Sequence, residues 1–457
     1  MAEYVVTLKK SLKKLLDEKK YQTLKDVLAT MNGADIAAVF EDLEEERTPL
    51  LFRLLPKELA AEAFAELSPE LQEHLITGFS DRELRELVSE LYVDDAVDLV
   101  EEMPAGVVKR ILAQADPEMR REINQILRYP ENSAGSIMTT EYVSLRPEMS
   151  IAEAIQRIRR TGVDKETIYT CYVTRERKLL GTVSVKDMLL AADENTPVSE
   201  IMDEHVIFVS TLTDQEEVAQ MLSKYNFLAL PVVDADERMV GIVTFDDAMD
   251  VLVEETTEDI EKMAGMLPSE KSYLRSNALD LFRHRIPWLM LLMVSATFTG
   301  MIISGFENAL AAQVVLTAFI PMLMDTGGNS GSQASVTVIR ALSLGELELH
   351  DLPKVVWKEI QTASLCGFAL AALCFAKIML FDRLLLGNTD ITAMTAFVVC
   401  FTMVVTVLIA KIVGCTLPMG AKRLGFDPAV MASPFITTIV DALSLLVYFG
   451  IASALLF

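Results

Sequence analysis

The sequence predicts a multidomain membrane protein, in which an all-α superhelical domain, a repeated α/β domain, a connecting helix and a five-helix transmembrane domain follow one another. Three observations predict this fold class: helix-opening residues recur through the first 130 residues, an internal repeat occupies residues 137 to 260, and long apolar stretches fill the carboxyl-terminal part. The mean hydropathy of +0.32 is high for an acidic soluble protein. We set the four parts at 1–130, 131–253, 254–280 and 281–457.

The amino-terminal domain is predicted to be a stack of short helices. Helix-opening residues recur at spacings of 13, 12, 13, 10 and 13, and each precedes apolar residues at helical intervals: Pro56, Pro69, Asp81, Asp94, Pro104 and Pro117. Short helices bury by stacking what each cannot bury alone. The first twenty residues lack the apolar core of a secretory signal, so we expect this acidic domain to stay in the cytosol.

The repeated domain contains two similar units. Gly-Thr-Val-Ser-Val-Lys-Asp at 181–187 matches Gly-Ile-Val-Thr-Phe-Asp-Asp at 241–247, and strand-like runs at 170–173 and 228–233 precede them. A helix-capping residue, Ser150 or Thr213, opens a helix in each copy. Each unit is therefore predicted to mix strands and helices.

The segment 246–262 holds eight acidic residues and one basic residue. Asp247, Asp250, Glu254 and Glu258 follow spacings of 3, 4 and 4, so they share one helix face, where neighbours repel by about a few tenths of a kcal/mol each. A solvated face is the ordinary interpretation of such a run. The helix leads directly to the first apolar stretch, and this position favours a cation-sensing face instead.

Five apolar stretches are long enough to cross about 30 Å of hydrocarbon, at 286–304, 309–330, 360–381, 391–416 and 429–455. An odd number places the chain ends on opposite sides. With a cytosolic amino terminus the outer loops contain only Arg383, whereas the inner flanks hold eight basic residues: Arg275, Arg283, Arg285, Arg340, Lys354, Lys358, Lys422 and Arg423. The positive-inside rule agrees, and we expect an external carboxyl terminus in a multi-pass cell-membrane protein.

The second stretch ends in small and polar residues, Asp-Thr-Gly-Gly-Asn-Ser-Gly-Ser-Gln at 325–333. Such residues at the inner end of an apolar helix are unsuited to lipid. Two interpretations remain open: close helix packing through the small residues, or a water-filled cavity.

Asp441 lies in the middle of the last apolar stretch. A carboxylate at that depth is costly unless it faces water, a partner or a cation. Thr437 precedes it by four residues and shares its face, and we expect Pro434 to free backbone oxygens near Val430 for a pore. These features predict a cation filter.

The alternative for Asp441 is an ion pair with an intramembrane lysine. Lys411 lies about 5 residues from the inner end of its stretch and Asp441 about 12, which is a height difference of about 10 Å. Lys377 lies near the outer end of the third stretch. Snorkelling narrows either gap, so both roles of Asp441 stay open, and we expect the pore acid.

The charge is unevenly distributed. Residues 286–457 contain 8 Lys or Arg against 10 Asp or Glu, while the first 285 contain 33 against 56. This front part is predicted to repel nucleic acid and anionic lipid and to attract multivalent cations. The five cysteines follow no metal-ligand spacing and are predicted to be reduced core residues. The four scattered histidines form no triad, so we expect no enzyme.

The two Gly-x-Val-[Ser/Thr]-x-x-Asp sequences resemble a tandem pair of CBS motifs. With Pro-x-Leu-x-Asp-Thr-Gly-Gly-Asn-x-Gly-x-Gln at 321–333 and Ser-Pro-x6-Asp at 433–441, the whole chain resembles the MgtE family of magnesium channels. The resemblance implies a homodimer with one pore, lined by the fifth span, in which the Asp441 pair holds hydrated Mg²⁺. Mg²⁺ sheds water reluctantly, so carboxylates and backbone oxygens suit its hexahydrate.

The resemblance also implies that intracellular Mg²⁺ bridges acids of the cytosolic domains and locks the connecting helix as a plug. The matching metal positions, with the pore residues Asp441 and Thr437, are Asp94, Asp95, Asp98, Asp214, Glu216, Asp247, Asp250, Glu255, Glu258, Asp259 and Asp427. Asn226 stands where the family has an acid, so one sensing site is expected to be weakened. CBS pairs bind adenine nucleotides such as ATP or serve only as dimerisation modules; the nucleotide positions are Ser184, Asp187, Thr244 and Asp247.

The sequence therefore predicts a Mg²⁺ channel that intracellular Mg²⁺ closes, because ions that bridge acids bind the closed state preferentially. A secondary transporter that couples divalent cations to protons through Asp441 is one alternative. A nucleotide receptor, in which the CBS pair reads the energy state, is the other.

Overall fold

The computed structural model describes residues 11–269, 273, 276–307, 311, 313–388, 391–431 and 433–456. The chain divides into two compact units, Met1–Leu252 and Val253–Phe457. The amino-terminal half of the first unit is all-α: helical residues at 11–17 precede the helices α1 to α9, which are Tyr21–Leu28, Gly33–Glu41, Thr48–Phe52, Lys57–Ala65, Pro69–Gly78, Asp81–Val88, Val93–Glu102, Ala105–Gln114 and Pro117–Ile126.

The predicted helix-opening residues lie at helix starts. Pro69 and Pro117 are first residues of α5 and α9, where the missing N–H costs no hydrogen bond. Ser80 caps α6 in a reciprocal pair with Glu83, and Asp116 caps α9. The helices bury a shared core that includes a chain of phenylalanines with ring centroids 5.2 to 6.5 Å apart: Phe40, Phe52, Phe64 and Phe79.

The second half of the first unit contains two three-stranded sheets of the same topology. Their strands are β1 Tyr142–Leu145, β2 Thr167–Arg175 and β3 Lys178–Ser184 in one sheet, and β4 Val209–Ser210, β5 Ala229–Val233 and β6 Met239–Thr244 in the other. In each sheet the first two strands are parallel and the last two antiparallel. The helices are α10 Ile151–Thr161, α11 Val185–Leu190 and α12 Gln215–Tyr225. The internal repeat is therefore a structural repeat.

The two copies are joined through the glycines of the repeated motif. Gly241 lies against the backbone of Thr139, and Gly181 against that of Asp203, with backbone hydrogen bonds in both places. A Cβ on either glycine would come within 3 Å of the opposing carbonyl oxygen. Because the motif position is glycine, the last strand of each copy can form backbone hydrogen bonds with the segment just before the first strand of the other copy.

A continuous helix, α13 Phe245–Met263, leads from the first unit into the second. The second unit contains α14 Ala278–Gly305, α15 Ile320–Ser343, α16 Leu352–Ala376 with a π-helical extension Lys377–Leu385, α17 Ala393–Arg423 and α18 Ser433–Leu456. Short 3₁₀ turns at Val314–Phe319, Leu349–Asp351 and Pro428–Met431 precede α15, α16 and α18.

Four stretches of the described residues are long and apolar enough to span a bilayer: Ala278–Gly305, Leu349–Leu385, Ala393–Arg423 and Pro428–Leu456. The expected stretch 309–330 does not coincide with any of these four. Part of it cannot be compared, because residues 308–310 and 312 lie outside the described residues. In place of a span that ends at 330, α15 runs from Ile320 to Ser343, so the small residues lie in its middle. The count of five spans stays a prediction.

The glycines of α15 lie at helix contacts. Gly327 faces Val440 and Ser444, and Gly328 faces Thr437, all on α18. The backbone of Gly331 on α15 contacts the backbone of Gly414 on α17, and a Cβ on Gly414 would overlap the Gly331 carbonyl oxygen. Close packing through small residues, one of the two interpretations of this motif, is what these positions show.

The expectation for Pro434 is wrong in one respect. We expected its ring to disturb a helical turn that includes Val430, but Pro434 is the second residue of α18, and Val430 belongs to the separate 3₁₀ turn. At a helix start proline removes no helical hydrogen bond and disturbs no preceding helical turn. Pro434 therefore begins this helix and does not kink it.

Candidate metal sites

Asp441 is half-buried on α18, one turn beyond Thr437. Its Oδ1 atom is buried and has no hydrogen-bond partner among the described residues. Thr437 lies against α15, with its hydroxyl 3.5 Å from that of Ser332. Asp325 of α15 is near enough to Asp441 for the two charges to interact. A buried carboxylate oxygen without a donor requires a cation, water or a proton.

Neither candidate lysine pairs with Asp441 in the described part of the chain. The Lys411 ammonium lies 3.6 Å from the Glu359 carboxylate, and these side chains are only 6% and 16% exposed. Lys377 bonds Asp382 at 2.7 Å. The ion-pair alternative for Asp441 thus receives no support, because both amines are neutralised elsewhere.

A second acidic group lies in the first unit. Asp94, Asp95 and Asp98 project from α7, and Asp247 at the start of α13 interacts electrostatically with all three. Asp94 is 9% exposed. The structure therefore brings together four of the residues that the family resemblance implied.

Burial raises the pKa of each of these carboxyls, and neighbouring negative charges raise those of the α7 acids further. Asp98 reaches a pKa of about 8, because burial acts first and the Asp247 charge second. The pKa values of Asp95 and Asp247 rise to about 6. A group with such values favours a proton or a metal ion as its neutralising partner.

Glu141 and Glu166 extend this group and were missed in the sequence. One carboxylate oxygen each from Asp94, Glu141 and Glu166 lie within 4.8 Å of one another, and both glutamates have a buried oxygen without a hydrogen bond in the described structure. Burial raises the pKa of Glu141 to about 7 and, with the Asp247 charge, that of Glu166 to about 8. In the repeat, Glu141 of the first copy occupies the position that His205 has in the second. This difference between the copies is the sequence signal that could have identified Glu141.

The carboxyl-terminal part of α13 is held by an amine. Lys262 Nζ lies 2.6 Å from Glu258 and 2.7 Å from Asp427, and the Ser343 hydroxyl donates to Asp259 at 3.0 Å. Burial raises the pKa of Asp259. Glu258 and Asp427, both implied metal positions, are thus neutralised by Lys262 in this conformation.

The remaining implied positions have other surroundings. The Asp214 carboxylate caps α12 by accepting from the Glu216 N–H at 2.9 Å, and Glu216 accepts from Gln220. Asp250 is exposed, and Glu255 lies in the middle of α13. Asn226 ends α12 in the left-handed conformation with φ 54°, which asparagine tolerates better than most residues.

The nucleotide positions form the same local pair in both copies. The Ser184 hydroxyl donates to Asp187 at 2.5 Å, and that of Thr244 donates to Asp247 at 2.5 Å. Asp187 is exposed, whereas Thr244 is 4% exposed and Asp247 belongs to the acidic group. The first copy therefore presents the more accessible pair.

The chain matches three family models: divalent cation transporter at residues 320–451, MgtE intracellular N domain at 31–132, and CBS domain at 134–194 and 198–254. It is 38% identical over 451 residues to the magnesium transporter MgtE of Thermus thermophilus, and the match covers 98% of each chain. The chain belongs to the MgtE family. It is a multi-pass membrane protein that transports Mg²⁺. The MgtE of Bacillus subtilis is also similar, with 32% identity over 441 residues, which cover 96% of this chain and 95% of that one.

Two solved structures match the amino-terminal part of the chain, outside the apolar helices. The cytosolic domain of the Mg²⁺ channel MgtE in complex with ATP is 40% identical with a TM-score of 0.51, and covers 53% of this chain and 99% of its own. The soluble part of a magnesium transporter is 29% identical with a TM-score of 0.52, covering 55% and 99%. The helical amino-terminal domain and the CBS pair predicted from the sequence are confirmed by these matches.

Proposed function

We propose that this MgtE protein is a homodimeric channel with five spans in each chain, and that the Asp441 carboxylates hold hydrated Mg²⁺ in its pore. The observation that carries the proposal is the buried Asp441 oxygen, which has no donor while Lys411 and Lys377 are paired elsewhere in the described structure. Thr437 lies one turn below. The cytosolic domains are inside and the carboxyl terminus is outside, as the basic flanks favour.

Intracellular Mg²⁺ closes this channel through the acidic group. Asp94, Asp95, Asp98 and Asp247, with Glu141 and Glu166, repel one another when ionised, and a bound divalent cation relieves this repulsion. Because the ion binds the packed arrangement preferentially, it shifts the equilibrium toward that arrangement. The continuous helix α13 transmits the change toward the membrane domain as a plug. Glu255, Glu258 and Asp259 lie on this helix, and Asp427 is joined to it through Lys262.

An adenine nucleotide is a second ligand of the cytosolic part. A relative at 40% identity was solved with ATP, and Ser184 and Asp187 of the first copy are accessible in this chain. Nucleotide binding there modulates the response to Mg²⁺, while transport itself requires no nucleotide.

Flux through reconstituted protein tests this function. We expect Mg²⁺ uptake into proteoliposomes without a proton gradient and without nucleotide, and block by Mg²⁺ applied to the cytosolic face. Single-channel recording should show ohmic steps. Uptake that requires a proton gradient would support a coupled transporter, and block that requires ATP would support a nucleotide receptor.

The raised pKa values predict that protons and Mg²⁺ compete. Five members of the acidic group have pKa values of about 6 to 8 in the folded state: Asp95, Asp98, Asp247, Glu141 and Glu166. These values lie above those of an unfolded chain, so without Mg²⁺ the folded state gains stability as pH falls from 8 toward 5. Mg²⁺ binds the ionised form. We therefore expect Mg²⁺ to raise the Tm of the full-length protein at pH 8 by on the order of a few degrees more than at pH 6, in scanning calorimetry.

The variant Asp98→Asn checks the source of this dependence. It removes one of the groups that titrate near pH 8 and should weaken both the Mg²⁺ effect and its pH dependence. Asp193→Asn, which changes an exposed acid of the CBS pair, is the matched control. An equal Mg²⁺ shift at both pH values in the unmodified protein would contradict the assignment.

A further inference from the structure

One face of α15 carries a continuous row of polar side chains. Five residues at spacings of 4, 4, 4 and 3 are all exposed in the described part of the chain: Asp325, Asn329, Gln333, Thr337 and Arg340. The opposite face, which contains Gly327, Gly328 and Gly331, packs on α17 and α18. The helix therefore has one packed side and one polar side.

A polar row of this kind is unsuited to lipid. A charged residue at the centre of a membrane helix is costly, and Asp325 lies within α15 together with the polar amides of Asn329 and Gln333. The neighbouring helices α14, α16, α17 and α18 are apolar enough to meet lipid themselves. The polar face of α15 consequently borders water or another polar surface within the membrane domain.

Asp325 brings this face to Asp441. Gly327 faces Val440 and Ser444, and Gly328 faces Thr437, so α15 and α18 run antiparallel where they touch. Asp325 and Asp441 therefore lie on adjoining turns of the two helices, where their charges interact. The Asn329 amide donates to Asp325 Oδ1 at 3.0 Å and so orients the carboxylate on the exposed side. No ion pair with Asp325 is present in the part of the chain that the structure describes. Two acids thus face one region, without an amine to neutralise them there.

We propose that Asp325 is a second carboxylate of the permeation path, and that it sets the affinity for Mg²⁺ together with Asp441. This inference rests on the proposed role of Asp441. The water molecules around a hydrated divalent cation direct their hydrogens outward on all sides. Asp325 and Asp441 can therefore accept hydrogen bonds from different water molecules of the same hydration shell. Asp325 also doubles the negative charge that each chain directs at the ion.

The alternative is that Asp325 only accepts the Asn329 hydrogen bond. Asp325→Asn separates the two roles, because its amide oxygen still accepts from Asn329 while the charge is lost. The variant is isosteric and the position is exposed, so the fold should be kept. Asp325→Glu retains the charge, and Glu346→Gln removes an exposed carboxylate from a loop of the same unit.

The test measures Mg²⁺ uptake into proteoliposomes against external Mg²⁺ for the full-length protein. For Asp325→Asn we expect the half-saturating concentration to rise about tenfold, as removal of one charge about 6 Å from a divalent ion in a water-like dielectric predicts. Asp325→Glu should restore the original value, and Glu346→Gln should not change it. An unchanged half-saturating concentration in Asp325→Asn would overturn the proposal.

The variant Asp441→Asn in the same assay keeps the two proposals apart. If Asp441→Asn abolishes uptake while Asp325→Asn behaves as the unmodified protein, only the role of Asp325 is lost. If Asp441→Asn keeps normal uptake, the proposed pore site is wrong, and the role of Asp325 is rejected with it.

Discussion

Replacement of Asp441 by asparagine should reduce Mg²⁺ uptake by at least about a hundredfold, because a carboxylate near a divalent cation contributes on the order of several kcal/mol in the effective dielectric of a protein. The buried Oδ1 atom has no hydrogen bond within the described residues, so the substitution removes charge without breaking a contact of that atom. Uptake into proteoliposomes, with Mg²⁺ measured by an internal indicator, gives the result.

The control for Asp441→Asn is Glu346→Gln, which removes a carboxylate from an exposed loop of the same unit and should leave uptake unchanged. Size-exclusion profiles of both variants should equal that of the unmodified protein. Mg²⁺-selective uptake that persists in correctly folded Asp441→Asn would refute the pore site.

Replacement of Gly414 by alanine should prevent stable folding of the membrane domain. A Cβ there overlaps the carbonyl oxygen of Gly331, which belongs to the backbone of α15 and cannot rotate away as a side chain could. Overpacking costs typically about 1 to 3 kcal/mol, and we expect more than about 3 kcal/mol where two helix backbones must separate. The measurement is the monodisperse fraction that survives a temperature ramp in detergent.

Gly420→Ala is the matched control, because Gly420 lies on the same helix and a Cβ there meets nothing within 4 Å. Alanine also favours helix over glycine by about 1 kcal/mol, so this variant should be at least as stable as the unmodified protein. Equal loss of the two variants would show that the Gly331 contact is not the cause.

The sequence could predict the features that depend on local pattern. The repeat predicted two similar α/β units, and proline and aspartate predicted helix starts, because capping and backbone preferences act within a few residues. Hydropathy placed the second apolar stretch at 309–330, whereas α15 continues through small and polar residues to Ser343, and its glycines pack against α17 and α18.

Partner choice could not be predicted in the same way. Sequence distance left Lys411 and Lys377 as possible partners of Asp441, and only the arrangement of the helices assigns Lys411 to Glu359 of α16. Glu141 and Glu166 join Asp94 from positions far along the chain, so no motif connects them. The neutralisation of Asp427 by Lys262 likewise depends on a contact between residues 165 positions apart.

The pairing of Lys411 with Glu359 also bears on how the protein is made. These two charges lie on α16 and α17, which are consecutive in the chain and joined by a short segment. Either charged side chain alone raises the free energy of inserting its helix into hydrocarbon, and the ion pair raises it less. During synthesis the two helices should therefore leave the translocon as one hairpin, and a chain halted after α16 should integrate poorly.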